Sequence, residues 1–440
     1  MPRQQVYGND ALETLPMEKM GELQWVRLAE RLRYLQDHSA FYRRRFKEAG
    51  VDPDAIQDLK AFQERVPFTT KEELQEERER AQDPYAGLLC VDRSEIVHLV
   101  RTAGTTGVPT LYGLTRKDLE QVGELTARLW IQIGARPAHT VAIATMGTWN
   151  PFATALVEGL RSGGMGRYHF TMPAPGEEVF PVEILPRWMD VEGFYLSSRP
   201  LWQVTQKYGE SLKERLPKLK YLLMAGQRVT ASFRKGMEAI WGCPLFEAYT
   251  MTDAGLPAAN CTEQTETFHF PQDAFLLEVI DPETGEDLTG SGKVGEIVVT
   301  SLVLEGTPLL RFRSGDMGYT LSEPCPCGRT GLRLGISERL AHAVLVRDRR
   351  VFSSEVEEVL YDMPEFFLKQ YYLVKKQKQP QDKLSLRVES PPEGSYPKGS
   401  REELLKRIKK ALGVEGEVEF ISEGDERFVA LYKFLKVVPE

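Results

Sequence analysis

Cysteine is scarce in this chain, with five residues among 440: Cys90, Cys243, Cys261, Cys325 and Cys327. An odd, sparse set in a long chain excludes the disulfide framework that staples small secreted domains. No stretch approaches the roughly eighteen uninterrupted apolar residues of a membrane-spanning helix. The first residues, MPRQQVYGNDALETLP, hold no apolar export core, so the expected setting is the cytoplasm. The net charge is only −8, which leaves no electrostatic footprint for nucleic acid, although a local basic loop can still hold an anionic substrate. Internal repeats and low-complexity tracts are also missing. What remains is a globular chain long enough for two or three domains.

Residues 14–48 read as helix, because Trp25, Leu28, Leu32 and Leu35 recur at helical spacing. The stretch VPFTTKEE (66–73) reads as a loop with a threonine cap opening the next helix. From about Ile96 to Val299, short apolar runs such as IVHLV, VAIATM, YLLMAG and EIVVTSLV alternate with helical segments such as KDLEQVGELTARLWIQIG and SFRKGMEAIW. That alternation predicts an α/β body, and the DPETGE turn (281–286) adds a hairpin-like region. After Gly335 the pattern changes to a small α+β unit ending in the basic helix REELLKRIKKAL. The predicted division is 1–337 and 338–440.

The segment TAGTTGVPT (102–110) follows the apolar run HLV and precedes LYGLT. Two glycines let the backbone turn its N–H groups inward, and the threonine hydroxyls add donors, so the segment could wrap a polyphosphate. It is not a Walker loop, since the Gly-x4-Gly-Lys-Ser/Thr spacing is absent. Taken alone it reads equally as a Gly/Thr-rich surface turn. Its company decides the matter: EAYTMTD (247–253) and LRFRSGD (310–316) follow in that order.

Together the three segments resemble the signature set of the acyl-adenylate-forming superfamily. SAFYRRRFKEAGV, VPFTTKEEL, DPYAGLLCVDRSEIV and CPCGRTGLR are further similar to the phenylacetate–CoA ligase branch. The resemblance implies an α/β fold: a large multi-sheet N-terminal adenylating body with a small mobile α+β C-terminal lid. It also implies ATP-dependent conversion of a carboxylic acid to acyl-AMP, followed by attack of the coenzyme A thiol. ATP, CoA and the acid are the implied small-molecule partners, Mg2+ the implied metal, and a homodimer the implied assembly.

By the same resemblance, Thr102, Gly104, Thr105, Thr106 and Gly107 hold the β- and γ-phosphates. Tyr249 lies against the adenine, flanked by Ala248 and on the other side by Ala225-Gly226-Gln227, and Thr250 contacts the α-phosphate. Asp253 stands where the family usually has a glutamate ligand to magnesium; it keeps the hard oxygen but has a shorter reach. Asp316 accepts from both ribose hydroxyls, with a salt bridge to Arg311 or Arg313 as the competing reading. Arg339 matches an arginine that reaches ribose or phosphate, and otherwise is an ordinary surface residue.

Four residues carry a different chemistry. Cys261 and His269 follow the TD pair, and Cys325 and Cys327 follow Asp316. A Cys3His set is what a tetrahedral structural Zn2+ takes, although Cys-x7-His and Cys-x-Cys are unorthodox spacings. Reduced thiols acting as small apolar residues are the alternative.

The C-terminal pattern frays. The family's Gly-Arg-x-Asp hinge is here Glu338-Arg339-Leu340-Ala341-His342, and a serine cap is expected for the helix SSEVEEVL (353–360). The family's catalytic lysine best matches Lys433, with Lys436 as the alternate. These departures leave open transfer to an acceptor other than CoA, or a descendant that binds without catalysis. MGTWNPFATALVEGLRSGG (146–164), with the Ala225 and Ala248 regions, is expected to line the acid pocket. Trp149 and Phe152 would form an aromatic wall, and Gly163 and Gly164 would open space for a ring, which suits an aryl or arylacetic acid.

Overall fold

The computed structural model describes residues 7–101, 110–145, 151–171, 181–184, 189–251, 253–338, 343–391, 395–422 and 436–440. The chain forms two compact units. One comprises Met1–Ser197, Lys218–Gly226 and Phe246–Ser337; the other comprises Ser198–Pro217, Gln227–Leu245 and Glu338–Glu440. Among the described residues, no helix is long and apolar enough to cross a membrane.

After a short helix, Asp10–Glu13, the first unit has helices Met17–His38 and Ala40–Ala49, where the periodicity predicts one continuous helix. The break is Ser39. Its backbone is extended, its hydroxyl accepts from the Tyr42 N–H, and it donates to the Gly87 carbonyl. A serine that can cap the following turn competes with helix continuation. The capping signal in VPFTTKEE is realised: Thr70 and Glu73 bond reciprocally at the start of Lys71–Ala81.

An eleven-stranded sheet forms the body of this unit. Gly166–Thr171, Thr140–Thr145, Gly193–Ser197 and Tyr221–Ala225 make its parallel part, in that spatial order. In the three inner strands Val141–Ala144, Phe194–Leu196 and Tyr221–Ala225 are apolar and buried, as parallel strands covered on both faces require. Leu245–Met251 comes next, and beyond it the sheet turns antiparallel through Leu256–Cys261, Gln264–His269, Arg333–Ile336, Phe312–Leu321, Gly295–Ser301 and Phe275–Ile280. A separate hairpin, Ile96–Arg101 with Leu111–Thr115, brackets the Gly/Thr-rich segment.

The buried pair Arg311–Glu278 ties the antiparallel part to the helical region. Arg311 donates to both Glu278 oxygens at 2.7 and 3.1 Å and to the carbonyls of Gln63 and Val66. The two side chains are 5% and 2% exposed. Glu278→Ala would strand a buried guanidinium, so a loss of about 3–5 kcal/mol is expected in urea unfolding. Arg311→Met added to Glu278→Ala should recover most of that loss; a single variant as stable as wild type would contradict this role for the pair.

In the second unit a four-stranded sheet runs Gly416–Ile421, Leu384–Glu389, Tyr371–Lys375, Val437–Pro439. Helices Ser353–Tyr361 and Ser400–Leu412 belong to this unit, as do Ser198–Tyr208 and Ala231–Trp241 from earlier in the chain. The serine cap expected for SSEVEEVL is not what opens that helix. The Glu338 carboxylate accepts from the Ser354 N–H and from both the Ser353 and Ser354 hydroxyls at 3.0–3.1 Å. An anion at a helix N-terminus satisfies the orphan donors and complements the dipole.

Candidate active site

Asp316 owes its position to a bulge. Strand Phe312–Leu321 pairs with Gly295–Ser301 in register at Val298↔Arg313 and again at Glu296↔Met317, so three residues of one strand stand opposite one of the other. Such bulges re-aim side chains beside functional sites. Gly315 takes φ +73° and donates its N–H to Glu296, while the Asp316 N–H donates to the Ser314 hydroxyl at 3.0 Å. The Asp316 carboxylate then accepts from the Tyr249 hydroxyl at 2.9 Å. Two residues 67 apart in sequence thus meet, Tyr249 from the seam strand Leu245–Met251 and Asp316 from the antiparallel part. Arg311 pairs with Glu278, and Arg313 with Glu296. Both arginines of the competing ion-pair reading therefore have other carboxylate partners.

Thr250 and Asp253 follow Tyr249 and border a largely apolar cavity in the first unit. Asp253 accepts from the Tyr112 hydroxyl at 3.0 Å. Tyr112 is buried, and burial together with the Asp253 charge pushes its phenol well above the ordinary range, so it stays a donor. Sequence reasoning missed Tyr112; its signal is that it is the second residue of the hairpin arm leaving the Gly/Thr-rich segment.

Phe152, Thr154 and Ala155, from the N-terminal turns of helix Pro151–Ser162, line the same cavity. Ala225 and Ala248 instead pack with Phe152 in the hydrophobic core. Gly163 and Gly164 open no room for a ring. They terminate helix Pro151–Ser162, with Gly163 N–H on Gly159 and Met165 N–H on Leu160, and Gly164 at φ +67°. Gly226 follows strand Tyr221–Ala225 at φ +92°, with open space where a Cβ would stand. Thr102, Gly104, Thr105, Thr106, Gly107, Trp149, Thr252, Arg339, Ala341, His342 and Lys433 lie outside the described residues.

Lys436 is a structural cation of the second unit. Its ammonium lies 3.4 Å from Glu357 and 3.9 Å from the centroid of the Tyr371 ring. Glu357 also accepts from Tyr371 at 2.9 Å and Thr230 at 3.1 Å. Burial lowers the Lys436 pKa, with Glu357 opposing the shift. A lysine held this way is a poor alternate to Lys433.

The four metal-type residues do come together. The ligand atoms of Cys261, His269, Cys325 and Cys327 lie within 4.8 Å of one another, and all four residues are buried. Cys261 Sγ is 3.7 Å from Cys325 Sγ, and Cys327 Sγ is 3.4 Å from His269 Nε2. Ligands at about 2.3 Å (S) and about 2.0–2.1 Å (N) from one tetrahedral centre stand roughly 3.5–3.8 Å apart along its edges. The Cys261–Cys325 and Cys327–His269 separations match the edges of such a site. Protons distribute unevenly within it: Cys261 and neighbouring His269 pull the Cys327 thiol down, while its bond to Cys327 pushes Cys261 up. Cys90 and Cys243 are buried free thiols outside the cluster.

The chain was compared with known proteins. Residues 349–429 match the AMP-binding enzyme C-terminal domain. A phenylacetate–coenzyme A ligase of Thermus thermophilus is 34% identical over 394 residues, covering 86% of this chain and 83% of the relative. One from Escherichia coli K12 is 26% identical over 434 residues, covering 94% of each. Among solved structures, a 2-hydroxyisobutyryl-CoA ligase in the postadenylation state is similar with a TM-score of 0.87 and 26% identity, covering 100% of this chain and 94% of that one. With the Tyr249–Asp316 pair at the seam of the sheet and more than 30% identity across most of both chains, this protein belongs to the phenylacetate–coenzyme A ligase family.

Proposed function

We propose that this AMP-forming acid–CoA ligase acts on an aryl or arylacetic acid. The acid's carboxylate attacks the α-phosphate of ATP to give acyl-AMP and pyrophosphate, and the CoA thiol then displaces AMP. Both partners of the first step are anionic, so the protein's task is charge neutralisation and positioning. The observation that carries the reading is the Tyr249–Asp316 hydrogen bond, which joins the two residues assigned to adenine and ribose.

Thr102, Gly104, Thr105, Thr106 and Gly107 take the phosphate role, with Thr250 on the α-phosphate, Arg339 on ribose or phosphate and Gly226 beside the adenine. Lys433 bridges the attacking carboxylate and the α-phosphate from the C-terminal lid, residues 338–440. Asp253 suits Mg2+ because it is a carboxylate donor oriented through one oxygen by Tyr112; bound there, the ion would offset phosphate charge. Cys261, His269, Cys325 and Cys327 suit Zn2+. Four protein ligands leave no open position, so that role is structural. Five reduced thiols fit a cytoplasmic setting, and the family reading carries a homodimer with it.

The test is pyrophosphate release with ATP and Mg2+ over a panel of aryl and arylacetic acids, with and without CoA. Acid-dependent release that CoA accelerates, with a thioester as product, is the expected result. Release indifferent to CoA would move the transfer step to another acceptor. No release with any acid of the panel would overturn the reading.

A further inference from the structure

The cavity beside Thr250 and Asp253 has a second polar end. Strand Ile96–Arg101 alternates as the pleat requires: Val97 and Leu99 are 50% and 51% exposed, whereas His98 and Val100 face the cavity. In the hairpin, Val100 stands opposite Tyr112 and His98 opposite Leu114. His98 is thus displaced by two residues, about 7 Å along the strand, from the position whose partner holds Asp253. The apolar walls of the cavity include Val122, Phe152, Ala155 and Leu256. Of the other polar side chains that line the cavity, Tyr112 bonds Asp253 and Thr307 exchanges hydrogen bonds with the Gly113 backbone, and Thr154 and Thr250 add two hydroxyls. His98 forms no hydrogen bond to another described residue.

Burial lowers the His98 pKa, with Glu158 opposing the shift. At neutral pH the ring is therefore uncharged and offers one donor and one acceptor nitrogen. An anionic substituent brought against it would lose its hydration and meet only the like charge of Glu158, whereas a hydroxyl needs a single hydrogen bond. This deepening rests on the acid-activation reading, which puts the reacting carboxylate at the Thr250 end. One aromatic ring with its short carboxylate arm bridges the distance from there to His98.

We propose that His98 is a specificity-determining residue whose imidazole hydrogen-bonds a hydroxyl on the ring of the aryl acid, at the position remote from the carboxylate. The substrate class is accordingly a hydroxylated aryl or arylacetic acid. A pocket built to pair a hydroxyl discriminates against an analogue of the same size that lacks it, because the pocket's own polar group is left unpaired.

The experiment compares kcat/KM for 4-hydroxyphenylacetate with that for 4-methylphenylacetate, which has similar bulk and no hydrogen-bonding group. The wild-type enzyme is expected to favour the hydroxyl acid by about tenfold or more. His98→Leu should bring the ratio to unity or below, and His98→Gln, which retains a donor and an acceptor, should restore part of it. KM for ATP and for CoA should not move in either variant, which separates lost recognition from general damage to the fold. The same hydroxyl-to-methyl ratio in wild type and His98→Leu overturns the assignment while leaving the ligase reading in place. Release with neither acid, nor with any other acid of the panel, overturns both.

Discussion

Asp316→Ala is expected to cut acid-dependent pyrophosphate release by about 10²–10⁴-fold, because two charge-assisted hydrogen bonds to ribose contribute about 1.5–3 kcal/mol each. The loss should also appear in direct ATP binding, since the same bonds form in the ground state. The fold should survive. Asp316 is partly exposed, and the turn beneath it is held by Ser314 and Gly315 through Ile297 and Glu296 rather than by its carboxylate. An unchanged circular dichroism spectrum with lost ATP affinity would meet the expectation. Asp316→Asn keeps an acceptor oxygen without the charge and should fall between wild type and alanine. Unchanged ATP affinity in Asp316→Ala would sink the ribose assignment and leave the Tyr249 bond as a structural contact.

The second large effect concerns the cysteine cluster. Protein purified without chelator is expected to hold about one zinc per chain, and Cys325→Ser should hold much less. Structural zinc binds small peptides with about 10–16 kcal/mol. Even part of that, lost here, should lower the melting temperature by about 5–10 °C. The damage should be local first. The turn Cys325–Thr330 receives the N-terminal segment: Tyr7 donates to the Cys327 carbonyl, Arg329 pairs with Glu13, and Thr330 bonds the Glu13 and Leu15 carbonyls. Chelation should therefore expose residues 7–15 to protease before the body unfolds. Metal analysis finding no zinc would return the thiols to a packing role.

Local signals were the most legible part of the sequence. The capping box at Thr70–Glu73, the turn at Asp281 and the apolar runs of the parallel strands appear where the pattern puts them, because each depends on side chains within a few residues. The helix break at Ser39 was hidden because the apolar period continues through it; what tips the balance is a hydroxyl bond to Gly87, 48 residues away. The two pocket glycines misled for a related reason. A Gly-Gly pair reads as space, but after an amphipathic helix it is first of all a helix stop.

In the site, residue type was legible and partnership was not. The sequence by itself determined which groups this protein has available: an acceptor-only carboxylate at 316, a short acid at 253, three thiols and an imidazole at odd spacings. It also determined the order of motifs that marks the family. The tertiary structure alone decided that Asp316 takes Tyr249, with Arg311 and Arg313 paired elsewhere. It also decided that Tyr112 holds Asp253, that Lys436 is held by Glu357, and that Cys261 reaches Cys325 across 64 residues. The physical reason is that hydrogen bonds and metal edges act over about 3–4 Å. Which groups come within that range is set by sheet order and by one bulge, and neither is written in the neighbourhood of any single residue.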